Sequence, residues 1–185
     1  MKPEQVMQVQ EWINQGYGNN RRAKWKLLYC ASQDGYGAKD FHRCCDNQGP
    51  TVTIVKPQGG IDILGGYTPL NWTSKDVKVQ DKSHQSFVFS LGNKNVFSKL
   101  KATANIAISN YSSWGPIFRG NTGNNRDLCI ANNLNGDYKS FCSQNGYEFP
   151  LSHQGLFSVN DYEVFQVQID YVNFCQGIET EFSHF

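Results

Sequence analysis

Four groups of residues in this 185-residue chain could do chemistry. They are a carboxylate among apolar strand residues, a histidine three residues from a cysteine, three aspartates at turns, and two glycine motifs. In an extended strand Glu163 shares a face with Phe165, Val167 and Ile169, while Gln166 and Gln168 point the other way. A carboxylate on an apolar face costs on the order of several kcal/mol unless it is paired. Either Glu163 lies at a strand end and accepts bonds from backbone N–H groups or an arginine, or it belongs to a shared site or partner contact. The pairing is preferred, because structural ion pairs also place carboxylates this way.

His42 and Cys45 are three apart on an expected helix and could face one another. With Cys44 they could supply a nucleophile and its base, or half a metal site. Zinc ligands come as spaced pairs, and the chain has neither Cys-x-x-Cys nor His-x-x-x-His. Core cysteines beside a histidine bonded to a loop are therefore the preferred reading. Asp34, Asp46 and Asp127 sit at turns or strand starts, where a carboxylate can bond nearby N–H groups. They could also converge with Glu163 at one rim, as binding loops do. Gly65-Gly66 and Gly115-Pro116 most simply allow tight backbone geometry, and no Gly-Lys-Ser/Thr follows to make a phosphate loop. Arg21-Arg22-Ala23-Lys24-Trp25-Lys26 reads as an exposed basic turn.

These groups need elements to hold them. Val6, Val9 and Ile13 form one stripe, with Pro3 suited to the first turn and Gly16 to the stop, so the chain should open on a helix. Trp25 to Cys30 reads as a strand, and Ala38, Phe41 and Cys45 share a face of a short helix. Thr51 to Val55 and Ile61 to Leu64, joined by Pro57-Gln58-Gly59-Gly60, make a hairpin. Residues 68 to 84 read as a loop or ragged strand. Phe87, Phe89 and Leu91 alternate with Ser86 and Ser90 as a half-buried strand should. Further strands are expected at Ile106–Ile108, Leu128–Ile130 and Tyr162–Ile169, with loops at 119–126 and 132–146. The fold class is mainly β (α+β). It is a two-sheet antiparallel β-sandwich flanked by an N-terminal helix and short helices. One domain is expected over 1–185, with the helix in 1–20, the sandwich in 24–170 and a C-terminal tail in 171–185.

Composition bounds the function. The chain is 39% hydrophobic and 14% aromatic, which favours strands over a helical bundle. Its net charge of +1 gives no global pull toward nucleic acid or anionic lipid. No apolar run suggests a signal peptide or a membrane span. The six cysteines are therefore expected to be reduced and the protein cytoplasmic. Cys30, Cys129 and Cys175 lie beside apolar segments and should be inert; Cys142, in a polar loop, should be the most reactive thiol. No cofactor or metal is implied.

Lys24-Trp25-Lys26-Leu27-Leu28-Tyr29, Asp34-Gly35-Tyr36, Phe41-His42 and Cys45-Asp46-Asn47-Gln48-Gly49-Pro50 follow one another in a recognisable order. They lead to Gly65-Gly66-Tyr67, Trp72, Ser86-Phe87-Val88-Phe89, Gly115-Pro116-Ile117-Phe118, Asp127-Leu128 and Asp161-Tyr162-Glu163-Val164-Phe165. In this order and spacing, from about residue 24 to 167, the chain resembles the TLDc (TLD) domain family. The resemblance implies a β-sandwich flanked by short helices. It also implies oxidative-stress resistance and, as in several members, binding and regulation of the vacuolar-type proton ATPase. Ile63-Leu64 stands where the family usually has a Phe, and the loop at 119–126 is longer than usual.

The expected function is a non-catalytic protein-interaction domain that binds a protein partner, with ATPase subunits implied. It is expected to be a monomer, with no nucleic acid and no membrane insertion. Candidate partner-binding or rim residues are Asp34, His42, Asp46, Gly65, Gly66, Asp127 and Glu163. The alternatives are an enzyme, a hydrolase or thiol redox protein using His42, Glu163 or a cysteine, and a sugar-binding sandwich using exposed aromatics.

Overall fold

A computed structural model describes residues 1–17, 21–93, 95–119, 126–132 and 140–171. Two compact units divide the chain, Met1–Lys24 with Gln168–Phe185 and Trp25–Val167. In the first, helix α1 spans Pro3–Gln15 and buries Val9 and Ile13, one turn apart on a single face. Pro3 starts it where a missing N–H is harmless, and Glu4 complements the positive end of the helix dipole. The start of the first strand is tied to this helix. Gln10 Nε2 donates to Ala23 O (2.6 Å), and Ala23 N donates to Asn14 Oδ1 (3.2 Å).

The second unit carries two antiparallel sheets. After β1 (Arg21–Cys30) come the short helices α2 (Ala31–Asp34) and α3 (Ala38–Cys45). Then follow β2 (Thr51–Pro57), β3 (Ile63–Thr68), β4 (Val77–Val79), β5 (Phe87–Leu91) and β6 (Val96–Lys99). The rest are β7 (Ile108–Asn110), β8 (Ile117–Phe118), β9 (Leu128–Cys129), β10 (Ser140–Cys142), β11 (Gly155–Phe157) and β12 (Val159–Tyr171). One sheet runs β1-β12-β2-β3-β5-β6 and the other β11-β10-β9-β8-β7-β4. Val55, Leu64, Val88, Tyr162 and Val164 of the first pack in one buried cluster with Ile108, Phe118, Leu128, Cys142 and Phe157 of the second. This is the expected β-sandwich. Among the described residues no helix is long and apolar enough to cross a membrane.

Register explains the glycine pair. Gly66 is paired with Thr53 and Val88, and both Val88 and the Val164 that pairs with Thr53 from β12 belong to the shared core. A Cβ on Gly66 would lie 2.6 Å from the ring of Phe118, which comes from the other sheet. A Cβ on Gly65, on the opposite side of the strand, would lie 2.3 Å from the ring of Phe89. The two glycines therefore make room for aromatic rings on both faces of β3.

Several sequence expectations change here. All of β5 is buried, not half of it. Ser90 in the strand and Ser86 just before it are satisfied internally: Ser90 Oγ accepts from Ser152 N (3.1 Å) and Ser86 Oγ donates to Asp81 Oδ2 (2.8 Å). Residues 140–142, expected in a surface loop, form β10, paired on both sides with β9 and β11. Residues 133–139, 120–125 and the tail beyond 171 lie outside the described residues.

Within the polar stretch 68–84, Asp81 shapes the turn ahead of β5. Burial alone would raise its carboxyl. Hydrogen bonds from Ser83 Oγ (2.5 Å), Ser86 N (2.8 Å), Ser86 Oγ (2.8 Å) and Ser83 N (2.9 Å) outweigh that and hold it below the usual carboxylate range. A folded-state value below the unfolded one contributes stability that is complete above the unfolded value, near pH ~4. That contribution is lost as pH falls through the folded value. Denaturant midpoints measured from neutral pH downward should show wild type losing its advantage over Asp81→Asn below about pH 4. An advantage unchanged with pH would contradict this role.

Candidate functional site

Helix α3 presents Ala38, Lys39, His42, Arg43 and, just past its end, Asp46 to a cleft of about 580 Å³. The 38–42–46 and 39–43 spacings put these residues on neighbouring rows of one helical face. The opposite wall comes from Ser74, from Ser112 and Ser113 in the turn after β7, and from Asn132 after β9. Asn132 Oδ1 accepts the Ala38 N–H at the start of α3 (2.7 Å), fixing the helix to that wall.

His42 is buried, at 7% exposure. Its Nδ1 lies 2.7 Å from Asp46 Oδ1, and its Nε2 lies 3.1 Å from both Tyr111 O and Trp114 O. Both ring nitrogens thus face oxygens that can only accept. The other oxygen of Asp46 accepts from Ser74 Oγ (2.7 Å). Ser112 donates through N (2.8 Å) and Oγ (3.0 Å) to Asp76 Oδ1. The Asp76 carboxyl is held below its usual range by that backbone bond first, then by the hydroxyl, with His42 adding in the same direction.

Of the residues singled out in the sequence, His42 and Asp46 meet in the cleft. Asp34 does not line it; its Oδ2 accepts the Cys30 N–H (2.8 Å) and closes the short α2 turn. Gly65 and Gly66 lie in mid-strand beneath the two rings. Asp127 opens β9, and its carboxylate takes the N–H groups of Asn145 (2.7 Å), Gly146 (3.0 Å) and Tyr147 (3.2 Å). Glu163 is half-buried on β12 between the core residues Tyr162 and Val164, beside Ile54 of β2. Its face, shared with Phe165, is turned away from the shared core. Lys39, Arg43, Ser74, Ser112, Ser113 and Asn132 were not singled out in the sequence. The i, i+4 pair Lys39 and Arg43 was the one local signal for any of them.

The five described thiols are poorly placed for redox work, four of them being buried; Cys175 lies outside the described residues. Burial pushes Cys45 and Cys142 well above the normal thiol range, and pushes Cys129 up to about 11 despite Arg126 nearby. Cys142, expected to be the reactive one, is instead a core residue of β10. Cys44 is half-buried, and desolvation raises it too. A thiol reagent at neutral pH should modify Cys44 first among the five described cysteines. Equally fast labelling of Cys142 in native protein, read by peptide mass spectrometry, would contradict this packing. Among the described residues no three His, Cys, Asp or Glu side chains are grouped to hold a metal ion.

A family model described as the TLDc domain matches residues 1–168 of the chain. A comparison with curated proteins returned no match.

Proposed function

Because the chain belongs to the TLDc domain family, we propose that it works by docking on another protein and performs no chemistry of its own. The partner is the vacuolar-type proton ATPase, whose subunits the chain binds and regulates, and the outcome is tolerance of oxidative stress. It acts in the cytoplasm as a monomer, without nucleic acid and without entering a membrane.

One observation supports the non-catalytic half of this reading above the others. The ring nitrogen of His42 that a nucleophile would need is turned to the carbonyls of Tyr111 and Trp114. A general base must reach the proton it abstracts, at about 3 Å. The hydroxyls of Ser74 and Ser112 donate to Asp46 and Asp76 rather than to the imidazole. The histidine and aspartate therefore act as a brace between α3 and the turn at 111–114.

The His42–Asp46 pair, standing in a cleft, is the observation that favours the enzymatic alternative. Immobilised chain incubated with solubilised vacuolar membranes separates the two. Docking predicts recovery of ATPase subunits by both wild type and a folded His42→Gln variant. Absence of subunits on wild type counts against this partner, and loss of a measured activity with His42→Gln while binding persists favours the enzyme.

A further inference from the structure

We propose that the cleft beside α3 receives an acidic segment of the partner protein, with Lys39 and Arg43 pairing to two of its carboxylates. This rests on the docking reading above and names the chemistry the docked segment must have.

The polar groups lining the cleft sort into two sets. Its acceptors are already used within the protein. Asp46 takes His42 on one oxygen and Ser74 on the other, and the Asn132 oxygen takes the Ala38 N–H. The His42 nitrogens are held by Asp46 and by two carbonyls. The charged and amide groups left over are donors. Among the described residues the Lys39 ammonium has no hydrogen-bond or ion-pair partner. Among the described residues the exposed Arg43 guanidinium has only a 3.3 Å contact to Asp34 O and a 3.8 Å approach to Asp40 Oδ1. On the far wall the Asn132 amide NH₂ and the exposed Ser113 hydroxyl are likewise uncommitted among the described residues. A site whose spare groups are two cations and an amide donor suits a ligand that brings acceptors and negative charge.

Spacing selects a peptide over a single phosphate. Residues four apart on a helix have Cβ atoms roughly 5–6 Å apart, so the two cations stand about a turn apart rather than at one focus. In an extended chain, residues i and i+2 lie on one face at roughly 6.6 Å. Two acidic side chains at that interval match Lys39 and Arg43. A cleft of about 580 Å³ also falls within the range of sites that enclose a few side chains.

The test uses the full chain titrated with a ten-residue polyglutamate peptide, with inorganic phosphate and polylysine as separate arms, followed by calorimetry at low salt. Polyglutamate is expected to bind, with its affinity falling tenfold or more in K39E/R43E, and by a smaller factor in K39Q/R43Q, whose exposed positions leave the fold intact. Absence of polyglutamate binding, binding unchanged in K39E/R43E, or preferential saturation by phosphate or polylysine each overturns the proposal. Recovery of ATPase subunits by wild type and K39E/R43E alike sinks the cleft while docking stands. Recovery by neither sinks the ATPase partner, and the peptide titration still decides the cleft.

Discussion

Trp72→Ala is expected to lower the unfolding free energy by about 3–5 kcal/mol, a large part of the total for a domain of this size. Trp72 is 1% exposed and stands where three elements meet. Its ring meets Phe41 of α3 edge-on at 5.7 Å and Phe118 of β8 at 5.6 Å. Its Nε1 donates to Thr51 Oγ1 of β2 (2.8 Å). Truncation removes both aromatic contacts, empties a large volume and leaves a fully buried hydroxyl without its donor. The loss should also reach the cleft, because Trp72 O accepts the Asn47 N–H (3.0 Å) just after Asp46. Trp72→Phe keeps most of the volume and loses the hydrogen bond, so it should cost markedly less. Urea denaturation of the three proteins measures this; a Trp72→Ala midpoint close to wild type with the same slope would contradict the packing.

Asp127→Ala should have the next largest effect, about 3 kcal/mol or more. The carboxylate is 1% exposed and accepts three successive backbone N–H groups, those of Asn145, Gly146 and Tyr147. Each buried donor left without an acceptor costs roughly 1–3 kcal/mol, softened where water can enter. Tyr147 follows directly, fully buried, its hydroxyl donating to Ala107 O (3.1 Å). The variant should therefore lose amide-exchange protection at 145–147 before the rest of the sandwich loosens. Asp127→Asn retains one acceptor oxygen and should fall between the two. Unchanged protection at those amides in Asp127→Ala would contradict the anchoring role.

The elements most legible in the sequence were those whose pattern is local. The Val9/Ile13 stripe gave α1, the Phe41/Cys45 spacing gave α3, and two apolar runs around a Pro-Gly turn gave β2 and β3. Strand β8, of two residues, is too short to show alternation, whereas β9 falls inside the strand expected at Leu128–Ile130. Strand β10 hides among Asn, Gly and Ser because its register is set by its neighbours. Ser90 reads as solvent-facing, yet it accepts the backbone N–H of Ser152, 62 residues away in sequence. Local pattern carries no trace of such partners. The cleft was half legible for the same reason. His42 on α3 and Asp46 just past its end are four residues apart, whereas Ser74, Ser112, Ser113 and Asn132 reach the cleft only through the order of the strands.

Whether the chain acts by occupancy or by turnover is decided most directly by titrating it against a fixed amount of vacuolar membranes while proton pumping is recorded. Docking predicts a change in pumping that saturates as binding sites fill, does not grow with incubation time, and reverses when the chain is removed. A change that builds progressively at amounts far below the number of sites, or no change at full saturation, would contradict the account.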